Sequence, residues 1–446
     1  MSDYTPRYTT DELRKLSSAL STYIDSSPTA FHAAEYSALL LEEAGAVRLE
    51  EGEPWKLEKG RKYYVVRDGS AVMAFSTGSF TPWQGVSVAG THLDSPLLKL
   101  KGSAFQSNSG RLTAGIEVYG GPVYATWLDR DLKLAGRYVF QGKHGLEARN
   151  FVLEQSAAII PNVAIHMNRE INKSLSYNPQ TELRALILQN SSSPSEDVKD
   201  LLAQEHSLEK DAILDVETFL VPAEQGHYFI SEGGDSLFTS GRIDNLAASH
   251  AALSAFIELD PSAQSRDAVL CLYNSEEIGS RTRSGAAGRM FESLFTRYLL
   301  AAGLSEEERI IARQNSFQIS VDAAHALHPN YADKHDPMFR PELNRGVALK
   351  RSAAYKYGTD ALVASRFIDL MNREKLPLQE MVNRADVPSG STIGTISMSL
   401  SDIPTVDIGI PMLAMHSARE TAGLEDQMDS QRLLFSFFRD SVKSLD

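Results

Sequence analysis

The sequence predicts an α/β protein in which a discontinuous helix-and-strand domain carries an inserted β-rich domain. Helical periodicities alternate with short apolar strands at both ends of the chain, whereas residues from about Ser95 to Gly233 read as strand-like runs between turns. The length, 446 residues, suits two or three folding units. A composition of 42% hydrophobic and 23% charged residues is too apolar for a disordered chain.

The elements follow in order. Leu13, Leu16, Leu20 and Ile24 recur at helical spacing, so Thr10 to Ser26 reads as a helix capped by Thr9 or Thr10 and stopped at Ser27-Pro28. His32 to Ala44 is a second apolar-faced helix, ended by Gly45. Lys62 to Arg67, Ser70 to Ser76 and Gly85 to Leu93 are short β-rich runs. In the middle, Gly115 to Tyr119, Val123 to Trp127, Arg137 to Phe140 and Asn162 to Met167 read as strands, and the Ser-rich stretch Ser191 to Asp200 as a surface loop. Beyond Gly234, helices are expected at Asn245 to Leu259, Gly285 to Ala302, Asp360 to Glu374 and Gln427 to Ser444. Strands are expected at Ala268 to Tyr273, Phe317 to Val321 and Thr405 to Ile410.

Lys and Arg total 44 against 58 Asp and Glu, a formal charge of −14, which argues against a general nucleic-acid or anionic-membrane binder. One cysteine, Cys271, excludes an internal disulfide and a Cys-rich zinc finger. The start, Met1-Ser2-Asp3-Tyr4, lacks a basic segment followed by an apolar block, and no apolar stretch is long enough for a membrane helix. A reducing, cytoplasmic compartment is expected.

Five motifs carry chemistry. Val88-Ala89-Gly90-Thr91-His92-Leu93-Asp94 runs an apolar strand into His-x-Asp, where residues two apart face the same way and a carboxylate can orient a metal-binding histidine. Gly241-Arg242-Ile243-Asp244-Asn245 precedes a helix and by itself reads better as an ordinary cap than as a carboxylate able to bridge two cations. The buried strand Ala268 to Tyr273 is followed by Asn274-Ser275-Glu276-Glu277, two adjacent acids at the mouth of an α/β sheet. In extended chain they would point to opposite sides, one toward metal and one free as a proton shuttle. Phe317 to Val321 ends on Asp322, with His325 and His328 following, and the apolar run Ile408 to Met415 ends on His416. Alone, most of these are better read as polar turns or caps. Together, His92, Asp244, Glu277, Asp322 and His416 form the N/O ligand set that Zn²⁺, Co²⁺ or Mn²⁺ prefers. Two divalent ions would balance three carboxylates and a hydroxide, leaving a neutral buried centre.

These motifs, with Val118-Tyr119-Gly120-Gly121, Thr126-Trp127-Leu128-Asp129-Arg130-Asp131, Ile160-Pro161-Asn162 to Arg169, Asn178-Pro179-Gln180-Thr181-Glu182 and Ser389-Gly390-Ser391-Thr392-Ile393-Gly394, resemble the M18 family of metallo-aminopeptidases, of the aspartyl aminopeptidase type. The resemblance implies a zinc-peptidase-type catalytic domain with a mixed central sheet flanked by helices (residues 1–94 and 234–446). The inserted β-rich dimerisation or lid domain would span 95–233. It implies two divalent metals, most simply Zn with Co or Mn as alternatives: His92 and Asp322 on one, Glu277 and His416 on the other, Asp244 bridging. Asp94 would orient His92, a metal-bridged hydroxide would be the nucleophile, and Glu276 the general base. His325, Lys350 and Tyr357 would surround the first side chain of a peptide with an acidic N-terminus. His166 would reach into a neighbouring subunit's site, in a tetrahedral dodecamer built from dimers. The residues alone leave open a neutral aminopeptidase, a carboxypeptidase or N-acyl deacylase using Arg242, Arg384 or Arg419, or a non-catalytic assembly protein.

Overall fold

A computed structural model of the protein describes residues 5–173, 176–231, 234–388, 390–440 and 442. The expected boundary at Gly233, Ser389 of the Ser-Gly-Ser-Thr-Ile-Gly motif, the N-terminal Met1 to Tyr4 and the last residues of the helix expected to end at Ser444 lie outside them. The chain forms two compact units, one of residues 1–94, 226–415 and 420–446, the other of 95–225 and 416–419.

Among the described residues, the first unit is built on a mixed nine-stranded sheet. Its order is Val47–Arg48, Lys62–Arg67, Ala71–Ser76, Asp267–Tyr273, Val86–His92, Phe317–Val321, Thr405–Gly409, Val347–Lys350 and Leu378–Met381. Four central strands run parallel, so their C-terminal ends share one edge. Register pairs Tyr273 with His92 and Ser320 with Gly90, which brings Asp322 level with His92.

Side-chain alternation splits the core. Ala89, Leu270, Leu272, Ile319 and Val321 pack on one face with helices Thr10–Asp25, Ala30–Glu43, Ile243–Glu258 and Leu424–Asp440. Val88, Val269, Cys271 and Tyr273 pack on the other with helix Met290–Ala301. Burial on both faces is why Asp267–Tyr273 reads as a near-continuous apolar run. Cys271 is fully buried, and burial pushes its thiol up to about 12, so it is inert packing. Thr9 and Glu12 form a capping box at the first helix, and Ser305 and Glu308 another at Glu306–Asn315.

A five-stranded sheet in the same unit, His227–Ile230, Ser236–Ser240, Glu420–Gly423, Pro411–Leu413 and Ala324–His325, carries His325 beside Met412. Among the described residues, the second unit is built on an eight-stranded antiparallel sheet dominated by Leu132–Gly142, Gly145–Ile159 and Ile213–Pro222. Among the described residues no helix is long and apolar enough to cross a membrane.

Four local expectations are corrected. Val123 to Trp127 is a 3₁₀ turn, because the Thr126 N–H and hydroxyl both donate to the Val123 carbonyl. Asn162 to Met167 is not a strand: it follows Pro161, and the Ala164 carbonyl closes a turn on Met167 and Asn168. The helix expected from Gly285 begins only at Met290. An ideal Cβ at Gly285 would lie 2.3 Å from the Ser280 carbonyl oxygen, so residues 280–288 fold as a tight loop instead. The stretch to Asp200 is not all loop, since Asp197 caps helix Val198–His206 through the Lys199 N–H.

Candidate metal centre

Four segments of the first unit converge at the sheet edge. His92 ends a strand whose seven residues are all buried. Its Nδ1 donates to the Asp94 main-chain carbonyl at 3.0 Å, with the Asp94 carboxylate at 3.5 Å. That bond places the proton on Nδ1 and leaves the Nε2 lone pair free to bind a cation. Around Nε2 stand Asp322 Oδ1 at 3.4 Å, Asp244 Oδ1 at 3.7 Å and Glu276 Oε2 at 4.0 Å. The Ser249 hydroxyl donates to the His92 carbonyl and holds the strand end.

Asp244 lies where the chain turns into helix Ile243–Glu258, after Arg242 in the left-handed region, φ 61°. Its N–H donates to the buried carboxylate of Glu420 at 3.1 Å, and Asn245 Nδ2 donates to the Val321 carbonyl at 2.8 Å. Glu276 and Glu277 are not in extended chain. They form a 3₁₀ turn after Ser275, φ 64°, and it is this turn that sets their different directions. The Asp94 carboxylate accepts both of their N–H groups, at 3.0 and 3.2 Å. Asp94 therefore braces the acids as well as the histidine.

Electrostatics follows from crowding. Burial, with the charges of Asp322, Asp244 and Asp94, pushes Glu276 up to about 7 despite the opposing effect of His92. Burial and Asp244 push Glu277 well up too. Asp322 moves the other way: burial would raise it, but Lys350 and His92 hold it well below the usual carboxylate range. Burial alone would lower the His92 pKa, yet Asp322 and Asp94 raise it well above its ordinary value.

The donor set fits a cation. Ligand atoms around a tetrahedral zinc with bonds near 2.05 Å stand about 3.3 Å apart, close to the 3.4 and 3.7 Å separations here. His92, Asp244 and Asp322 form one such group, and His92, Glu276 and Glu277 another.

Lys350 ends the buried strand Val347–Lys350, its Nζ 3.5 Å from Asp322 Oδ2 and 5.4 Å from the centre of the Tyr357 ring. Tyr357 is buried with Ala324, Ala348 and Met381. His325 is exposed at the rim of a 440 Å³ recess shared with His328, His335, Phe339, Met381 and Met412. Desolvation there and the Lys350 charge lower its pKa. His166 and His416 belong to the second unit. His166 is exposed in the turn after Pro161, and His416, φ 66°, has Nδ1 3.1 Å from the Gly121 carbonyl.

The arginines named as carboxylate receptors have other partners. Arg242 Nη2 donates to the Ile24 carbonyl, Arg384 forks onto Asp386, and Arg419 pairs with Glu224. Glu420, Ser249 and Asn245 were not anticipated as supports. No local pattern marks them, because each acts on a residue brought close only by folding.

A sheet edge that delivers a histidine and several carboxylates to one cation-sized space, with an ionisable glutamate beside it, defines a metal-dependent hydrolase. The family described as Aminopeptidase I zinc metalloprotease (M18) matches residues 23–438. A probable M18 family aminopeptidase 2 from Pseudomonas entomophila is 38% identical over 429 residues, covering 95% of this chain and 98% of the relative. The fold superposes on a chain in a cryo-EM structure of the Ape4 and Nbr1 complex with a TM-score of 0.91 at 31% identity, covering 98% and 87%. It also superposes on a chain of the S. cerevesiae mApe1 dodecamer, TM-score 0.79 at 24% identity, covering 96% and 97%. The chain belongs to the M18 family of zinc metallo-aminopeptidases.

Proposed function

We propose that the protein is a two-metal aminopeptidase that prefers Asp or Glu at the peptide N-terminus. The observation that carries the metal centre is the gathering of Asp322, Asp244 and Glu276 within 4.0 Å of His92 Nε2. His92 and Asp322 would hold one ion, Glu277 and His416 the other, and Asp244 would lie between them. Bound there, the ions, taken as zinc with cobalt or manganese as alternatives, would activate a water and polarise the first peptide carbonyl. Glu276 would accept the proton at its carboxylate and return it to the leaving amine. Asp94 would keep Glu276 and Glu277 in place through their N–H groups. Lys350, flanked by Tyr357 and His325, would receive the substrate's side-chain carboxylate.

A metal count per chain, measured beside a panel of aminoacyl p-nitroanilides, tests this reading. Two ions per chain and Asp or Glu turnover above Leu and Ala are expected, with N-acetyl-Asp untouched. One ion per chain, or cleavage of the acetylated substrate, would remove it.

Lys350→Ala is expected to cut kcat/KM for Asp substrates by about 100-fold and for Leu substrates by less than about tenfold, since a buried charge pair is worth several kcal/mol. Equal losses would assign Lys350 to the support of Asp322 alone.

We also propose a homo-oligomer, a tetrahedral dodecamer built from dimers, in which His166 enters a neighbour's site. Val163, Ile165 and Met167 flank it, 42, 45 and 81% exposed, and Tyr331, Met338 and Phe339 are likewise exposed near the recess beside His325. Apolar groups left outside in this number suit burial between copies. Met167→Asp should shift the mass measured by light scattering to a smaller species. A mass unchanged by both Met167→Asp and Ile165→Asp would exclude this contact.

A further inference from the structure

Asp407 sits in the middle of the apolar strand Thr405–Gly409, fully buried between Val406 and Ile408. A carboxylate there is tolerated only if its oxygens are used. One oxygen accepts the Gly358 N–H at 2.5 Å, and the other the Thr392 hydroxyl at 2.7 Å. The Asp407 N–H donates to Thr359 Oγ1 at 2.9 Å. Three bonds thus tie two distant segments, Gly358-Thr359 and the start of helix Ile393–Ser401, to one strand.

Gly394 shows how closely this is built. An ideal Cβ there would lie 2.2 Å from Asp407 Oδ1, so any side chain would displace the carboxylate. This accounts for the glycine of the Ser391-Thr392-Ile393-Gly394 motif, to which the metal chemistry assigns no role. Gly358 follows Tyr357, whose ring lies beside Lys350. Asp407's strand pairs with that of Lys350, Leu349 opposite Ile408. The Asp407 charge also acts on the Lys350 ammonium, together with that of Asp322.

We infer that Asp407 is a positioning residue for the first-residue pocket: anchored to the Thr392 helix start, it clamps the Tyr357-Gly358-Thr359 segment beside Lys350, and thereby sets acidic-substrate affinity. This rests on the acidic-pocket reading above. The position does not touch the metal ligands, so its influence belongs in KM.

The test compares wild type, Asp407→Asn and Thr392→Val on Asp- and Leu-p-nitroanilide, with metal content measured alongside. Asp407→Asn should raise KM for the Asp substrate by about tenfold, the cost of one buried polar group left unmatched, with kcat within about threefold and metal content unchanged. Thr392→Val, which keeps the side-chain shape, should raise it by about threefold by losing one hydrogen bond. KM for the Leu substrate should move less in both. If Asp407→Asn does not fold, an unchanged KM in Thr392→Val overturns the inference. So does a loss of metal, or an equal KM rise for both substrates. A wild-type enzyme that does not favour Asp over Leu would instead remove the acidic-pocket reading itself.

Discussion

Glu276→Gln is expected to lower kcat by about a thousandfold, the usual worth of a positioned general base, while metal content stays at the wild-type level. The two observables separate because Glu276 and Glu277, adjacent in sequence, are proposed to divide the work. Glutamine keeps the shape and the backbone bond from Glu276 to Asp94, but it cannot take a proton. In the metal-free chain, burial and the surrounding carboxylates push Glu276 up to about 7. Loss of metal along with activity would make Glu276 a ligand instead. Retained turnover would end the assignment.

Chelation is expected to abolish activity and lower the melting midpoint, and the lowering should be larger at pH 8 than at pH 6. Glu276 has a folded-state pKa raised from 4.5 to about 7, and Glu277 is raised well above 4.5 too. A carboxyl raised on folding costs nothing below its unfolded value. Its penalty grows as pH rises toward the folded value and is complete above it. For Glu276 alone that penalty is about 3 kcal/mol, at roughly 1.4 kcal/mol per tenfold change in the proton equilibrium. His92 works in the same sense, since its raised folded value gives stability that is full below 6.5 and falls as the pH rises from there toward the folded value. Bound cations offset the repulsion, and protons compete with them at pH 6. Differential scanning fluorimetry with and without chelator checks this. A midpoint shift equal at both pH values would mean the carboxylates do not repel in the metal-free chain.

Much of the framework was legible from local pattern. The helices beginning near Thr10 and Asp360, and the strands Ala268 to Tyr273 and Phe317 to Val321, announce themselves by apolar periodicity and caps. So do the chemical residues that follow those strands. The long strands Gly145–Ile159 and Ile213–Pro222 escaped notice because they are dotted with charged and polar residues, and their partners lie far along the chain. Val123 to Trp127 and Asn162 to Met167 look β-prone, yet turn bonds claim their backbones. The Glu pair shows a subtler limit. Its divergence was anticipated from extended geometry, whereas a left-handed Ser275 and a 3₁₀ turn produce it.

By itself the amino-acid order determined the α/β texture, the single cysteine, the acidic balance and the histidines and acids that follow the apolar strands. Those properties depend on a residue and its near neighbours. Only the tertiary structure decided that Lys350 pairs with Asp322, that Asp94 braces both glutamates, that Glu420 holds Asp244, and that Asp407 bonds both Gly358 and Thr392. Those pairings join positions tens to hundreds of residues apart, and they are set by strand order and register, which depend on the summed packing of the whole sheet.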